Sequence, residues 1–143
     1  MLNLEAVANE ELEDKVALPV SISGISGSVS FAGKMNGVLY LNFSDETARK
    51  CAAHILGSDS KSISEAEICD VIGELTNMVT GNLKSKMTDK GFNCTLSIPS
   101  VLKSSEITVK STQSSIEVYN EFKIDSMNTI VKVYVFARLE EAK

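Results

Sequence analysis

Residues 68–86 read ICDVIGELTNMVTGNLKSK, and the spacing of their apolar positions predicts a helix with two unlike faces. At 3.6 residues per turn, Ile68, Ile72, Leu75 and Val79 fall on one side, the usual stripe toward a core. Asp70, Glu74, Asn77 and Gly81 fall on the other side, at successive offsets of four, three and four. Upstream, Ser64-Glu-Ala-Glu67 matches a capping box, so the helix starts there. It runs to about Thr88, and Gly91 breaks it, with Gly73 and Gly81 as weak points or sites of close approach.

Outward from that helix the pattern changes on both sides. After Gly91 the apolar period becomes two. Residues 92–98 read as a strand stopped by Pro99, and residues 107–110 and 115–119 as further strands with polar turns around 111–114. Residues 123–125 lead to a turn at 126–128. Residues 130–137, IVKVYVFA, are the most strand-like run, rich in β-branched and aromatic side chains. On the other side, residues 21–43 read as a hairpin. Its turn is expected at 33–37, where Asn36-Gly37 is the local signal, and the Gly24/Gly27 region suggests a bulge or bend. Ser44 or Asp45 caps a second helix that ends at Gly57. Residues 4–17 read as a short amphipathic helix closed by Pro19, and residues 138–143 as a frayed tail.

Blocks of helix between runs of strands argue for an α+β fold. The hairpin-like connections argue for a mostly antiparallel sheet of about six strands with helices on one face. The order has a two-part rhythm of helix then strands. With 143 residues the chain is expected to be a single domain spanning 1–143, with a core that needs no disulfide or metal.

Composition narrows the partners. Charged residues are 23%, hydrophobic residues 43% and the formal net charge is -5, with no basic cluster of the kind a phosphate backbone needs. No apolar run approaches a membrane span and no signal-peptide pattern opens the chain. Neither nucleic acid nor membrane is expected as a partner. Cys51, Cys69 and Cys94 form no metal-ligand spacing and read as reduced, packed thiols, which suggests the cytoplasm. His54 is the single histidine, and without a second one zinc and Ser-His-Asp chemistry lack support. No phosphate-cradling GxxxxGK[ST] run occurs.

The polar stripe of the long helix remains. Most polar helix faces only meet water, and Glu-x-x-Asn recurs at residues 117–120 on a predicted strand and turn. Two features set the stripe apart. Solvated faces favour Lys, Arg and Glu, whereas this one carries Asp, Glu, Asn and Gly, with Thr76 and Thr80 nearby. Gly81, in line with Asn77, also leaves the surface low enough for another backbone to come close.

These residues resemble the signature of the CheC/CheX/FliY phosphatases of bacterial chemotaxis. The family pattern is Asp or Ser, Glu four residues on, Asn three further and Pro about twenty later, met here by Asp70, Glu74, Asn77 and Pro99. The Gly-Glu-Leu-x-Asn-Met-x-x-Gly-Asn-x-Lys run is most similar to CheX, and the likeness covers roughly residues 20–137. The resemblance implies a CheC-like fold and hydrolysis of the phospho-aspartate of a CheY-like response regulator, whose own Mg²⁺ and lysine complete the site. No cofactor is expected on this chain. Asn77 would position a water in line with phosphorus, and Glu74 would contact the regulator's lysine. Asp70, Gly81 and Pro99 would support them. Residues 4–17 carry no Glu-x-x-Asn, so one site per chain is expected, shaped as a convex ridge without a pocket of its own. CheX-like chains tend to form homodimers through sheet edges, and residues 130–137 are a candidate edge. A non-catalytic regulator- or motor-binding module of the same fold, or a structural homodimer, are the alternatives.

Overall fold

The structure is a computed structural model that describes residues 6–8, 20–109, 116–124 and 129–139. Its described strands are β1 (Ala6–Ala8), β2 (Val20–Gly33), β3 (Met35–Phe43), β4 (Cys94–Leu96), β5 (Ser100–Val109), β6 (Ile116–Ile124) and β7 (Thr129–Leu139). The helices are α1 (Asp45–Leu56) and α2 (Glu65–Asp89). All pairings are antiparallel, in the order β1-β6-β7-β3-β2, with β4 and β5 both on the far flank of β2. Seven strands therefore fill six positions, and the fold is α+β with both helices against one face.

The β4/β5 flank explains Pro99. Leu96 pairs with Phe31 and Ser100 with Ser28, so residues 97–99 interrupt what is otherwise one edge strand. Ser97 holds the interruption to β2: its N–H donates to Ser30 O at 2.9 Å, and its Oγ accepts from Ser30 N–H at 2.9 Å. A proline fits such an edge, where its missing N–H leaves no ladder bond unmade.

Several expectations change. Residues 6–8 pair with β6 as a strand instead of forming helix; the rest of the expected 4–17 helix lies outside the described residues. The two-part helix-then-strands rhythm therefore lacks its first helix among the described residues. The chain reverses around Lys34, inside the expected 33–37, although Gly37 already pairs with Phe31 as part of β3. Asn36 sits in β3 and its Oδ1 accepts from Gly33 N–H at 2.9 Å, closing the hairpin from the side. Residues 130–137 are not an edge, because β7 lies between β6 and β3 and is paired on both sides. The polar turns expected at 111–114 and 126–128 and the tail beyond Leu139 lie outside the described residues, while Arg138 and Leu139 still belong to β7. The expected bulge occurs where the β2/β5 register shifts between Ile22 and Gly24.

The main core lies between sheet and helices. Leu39, Leu41 and Phe43 from β3 and Ile25 from β2 meet Ala48, Cys51 and Ala52 of α1 and Ile68 and Ile72 of α2. Both isoleucines are essentially inaccessible, and burial of each contributes roughly 1.5–3 kcal/mol. A second cluster, Tyr134 and Phe136 with Val38, Tyr40 and Tyr119, collects the alternate strand positions.

Candidate functional site

The start of α2 is fixed first. Ser64 Oγ accepts from Glu67 N–H at 3.1 Å, and Glu67 Oε1 accepts from Ser64 N–H at 3.1 Å, so the capping box is reciprocal. Glu65, the next residue, receives Lys103 Nζ of β5 at 2.9 Å and Arg49 Nη2 of α1 at 3.4 Å. The Lys103 hydrogen bond is the main reason that the Glu65 carboxyl is held below the usual carboxylate range. Arg49 Nη1 also donates to Ser60 O and Ile63 O, at 3.1 and 3.0 Å. One charged cluster thus joins α1, the α1–α2 connection, α2 and β5.

The middle of α2 is set by contact with β2. A Cβ on Gly27 would lie 1.8 Å from Thr76 Oγ1, so only glycine lets the helix come this near the strand. Thr76 and Thr80 are fully buried, and each hydroxyl donates to the carbonyl four residues back: Ile72 O at 2.7 Å and Thr76 O at 2.6 Å. Sequence reasoning placed these threonines near the outward stripe; they belong to the seat of the helix. Their period relative to Ile68 and Ile72 carries the signal, because Thr76 and Thr80 continue the series 68, 72, 76, 80.

The opposite side of α2 presents Asp70, Glu74 and Asn77 to solvent, with Gly81 half-exposed in the same line. Among the described residues, the side chains of Asp70, Glu74 and Asn77 make no hydrogen bond or ion pair. Gly81 has nothing within 4 Å of where a Cβ would stand, so no internal packing requires a glycine there. Four of the five anticipated site residues therefore share one face of one rigid helix. Pro99 does not; it stands in the break between β4 and β5.

One element was not anticipated. A groove of about 350 Å³ runs along the α1 side of the stripe, lined by Ile55, Leu56, Asp70, Val71, Glu74, Leu75 and Met78. The ridge therefore has a hollow beside it, contrary to the expectation of a ridge alone. Leu75 of the core stripe packs against the main core and also lines this groove. Met78, four residues after Glu74 and outside that stripe, was the available signal.

The remaining reactive groups stand apart. Cys51 is buried, and burial pushes its thiol up to about 11. His54 is exposed at the end of α1, where its carbonyl accepts from the Gly57 cap. The described residues hold no group of three or more His, Cys, Asp or Glu that could bind a metal ion. Among them, no helix is long and apolar enough to cross a membrane. The stripe carries two carboxylates and a carboxamide, and no strong base or nucleophile. It suits positioning work on a group brought by another molecule.

Known proteins are similar throughout this region. A family profile described as chemotaxis phosphatase CheX matches residues 25–123. The CheY-P phosphatase CheX of Thermotoga maritima is 27% identical over 106 residues, covering 70% of this chain and 68% of that protein. The crystal structure of a chemotaxis protein CheX from Desulfovibrio desulfuricans superposes with a TM-score of 0.78 at 21% identity, over 96% of this chain and 87% of the other. The CheX-CheY-BeF3-Mg²⁺ complex from Borrelia burgdorferi gives a TM-score of 0.75 at 20% identity, over 96% and 86%.

Proposed function

The chain belongs to the chemotaxis phosphatase CheX family, and on that premise we propose that it removes the phosphoryl group from the phospho-aspartate of a CheY-like response regulator. The observation that carries this reading is the outward face of α2: Glu74 and Asn77, unpartnered and exposed on a helix that is clamped at its start and seated at its middle. An acyl phosphate is already activated, so the protein has to supply orientation more than chemical force.

In this reading α2 enters the regulator's active site. The Asn77 carboxamide accepts a hydrogen bond from water and holds an oxygen lone pair in line with phosphorus. A carboxamide is far too weak a base to take the proton itself, so its work is positioning. The Glu74 carboxylate, one turn earlier, meets the regulator's lysine ammonium in a charge-assisted contact and so fixes the helix over the phosphorylated Asp. Asp70 orients from the preceding turn, and Gly81 gives clearance for the regulator's backbone. Pro99 supports only indirectly, by shaping the edge beside α2. Mg²⁺ belongs to the regulator, where it supplies charge neutralisation on the phosphoryl oxygens. Catalysis would take place in the cytoplasm, with one site per chain. Homodimerisation, if by sheet edge, would use β1 or the β4/β5 flank, the two outer positions among the described strands.

The test is phosphate release from the phosphorylated regulator of the same cell. Wild type should accelerate release. Asn77→Ala should abolish the acceleration with binding largely kept, and Glu74→Ala should weaken both. Failure of wild type to accelerate release from any such regulator would overturn the enzyme reading, and binding without acceleration would leave a binding module.

A further inference from the structure

The two flanks of the α2 ridge differ. Glu74 and Asn77 project about 60° apart around the helix axis. Asn77 follows the flank of Gly73, where a Cβ would lie 3.5 Å from Val101 Cγ2 of β5. Glu74 is on the other flank and forms, with Asp70, the acidic rim of the groove. The groove is otherwise apolar, and no Lys or Arg lines it. Leu56 of α1 and Met78 of α2, on its opposite walls, are 44% and 45% exposed, so both offer apolar surface to an occupant of the groove.

We infer that this groove receives an apolar side chain of the regulator, carried within a residue or two of the lysine that Glu74 meets, and that Leu56 and Met78 thereby select the partner. The inference rests on the phosphatase reading above. Its physical basis is the mixed chemistry of one small hollow. A wholly apolar occupant would displace water from the rim carboxylates Asp70 and Glu74 without replacing its hydrogen bonds, which works against binding. A purely cationic occupant would leave the apolar walls wet. A cation flanked by an apolar side chain satisfies both. A second copy of this chain is a poorer match: two such grooves face to face would bring four carboxylates together, on chains that each carry a net charge of -5. Met78 adds an adaptable surface, since a thioether chain fills irregular gaps.

The experiment compares full-length variants against the Mg²⁺-bound, beryllofluoride-activated regulator for Kd, and against the phosphorylated regulator for kcat and KM. Leu56→Asp and Met78→Glu should each raise Kd and KM roughly tenfold or more, with kcat within about twofold. Met78→Leu should bind like wild type. Both side chains are half-exposed, so the variants should fold, which circular dichroism verifies. Asn77→Ala should show the opposite split, losing kcat and keeping Kd. Folded Leu56→Asp and Met78→Glu proteins that bind as wild type does would overturn the inference and leave the phosphatase reading intact. So would loss of self-association by sedimentation with regulator binding unchanged, which would make the groove a contact between copies. A wild type that neither binds nor accelerates would remove the phosphatase reading itself.

Discussion

Glu-x-x-Asn occurs twice in this chain, at residues 74–77 on α2 and at residues 117–120 on β6. On the helix an interval of three places both side chains on one face. In a strand the same interval alternates between faces and brings nothing together. Their surroundings differ in the same sense. Asn77 is exposed and unpartnered among the described residues. Asn120 is half-buried, its Oδ1 accepting from Glu121 N–H at 2.8 Å. The adjacent Tyr119 hydroxyl and Glu121 carboxylate also bond to each other. The four-residue pattern has no chemistry until secondary structure decides which way its ends point and tertiary structure decides whether they are free.

Substitution at the two asparagines should widen that contrast furthest. Asn77→Ala is expected to cost about a hundredfold or more in the rate of regulator dephosphorylation, the scale of a lost positioning group. Asn120→Ala should leave that rate within about twofold. Equal losses from the two would show that the motif works for some reason other than its place on α2.

The seat of the helical copy gives the next effect. Gly27→Ala drives a Cβ into Thr76 and should lower stability by about 1–3 kcal/mol in thermal denaturation, with a fall in rate as α2 lifts. Removing the obstructing hydroxyl as well, in Gly27→Ala/Thr76→Ala, should cost less than the sum of the single changes, because the two positions are in contact. Strict additivity would mean that α2 does not depend on this approach.

Gly81→Ala should act in the opposite direction on stability. With open space at the Cβ position, alanine should stabilise the helix by about 1 kcal/mol and raise Tm. It should also weaken regulator binding, measured by titration calorimetry. A stabilised variant with unchanged affinity would remove the clearance role from Gly81.

The smallest effect concerns the clamp at the start of α2. Glu65 has a lowered pKa, mainly through its Lys103 hydrogen bond. Its contribution to stability is therefore present above the ordinary carboxylate pKa and is lost as pH falls through the lower, folded value. A small Tm gap between wild type and Glu65→Gln at pH 7 should close in the acid range. A gap that grows on acidification would reverse the sign. All groups of this cluster are substantially exposed, so salt should also shrink the gap.

Much of the fold follows from local pattern. The capping box at Ser64, the cap at Gly57, the helical period of residues 68–79 and the alternation of residues 130–137 are each encoded within a few residues. Local sterics and hydrogen bonds suffice to form them. The same is true of the stripe of Asp70, Glu74, Asn77 and Gly81, which is a consequence of helical spacing alone. Residues 4–17 show the limit. Leu4, Val7, Ala8 and Leu12 make a helical pattern, yet residues 6–8 pair with β6, because a ladder of backbone hydrogen bonds to a neighbouring strand outweighs weak helix propensity.

By itself, then, the sequence determined which residues share a face of α2, because 3.6 residues per turn is a property of the local backbone. Tertiary structure decided the rest. It buried Thr76 and Thr80 against Gly27, put the most strand-like run in the middle of the sheet, and brought the end of α1 beside Glu74 to make the groove. Each of these depends on contacts between segments far apart in the chain, which no local period encodes.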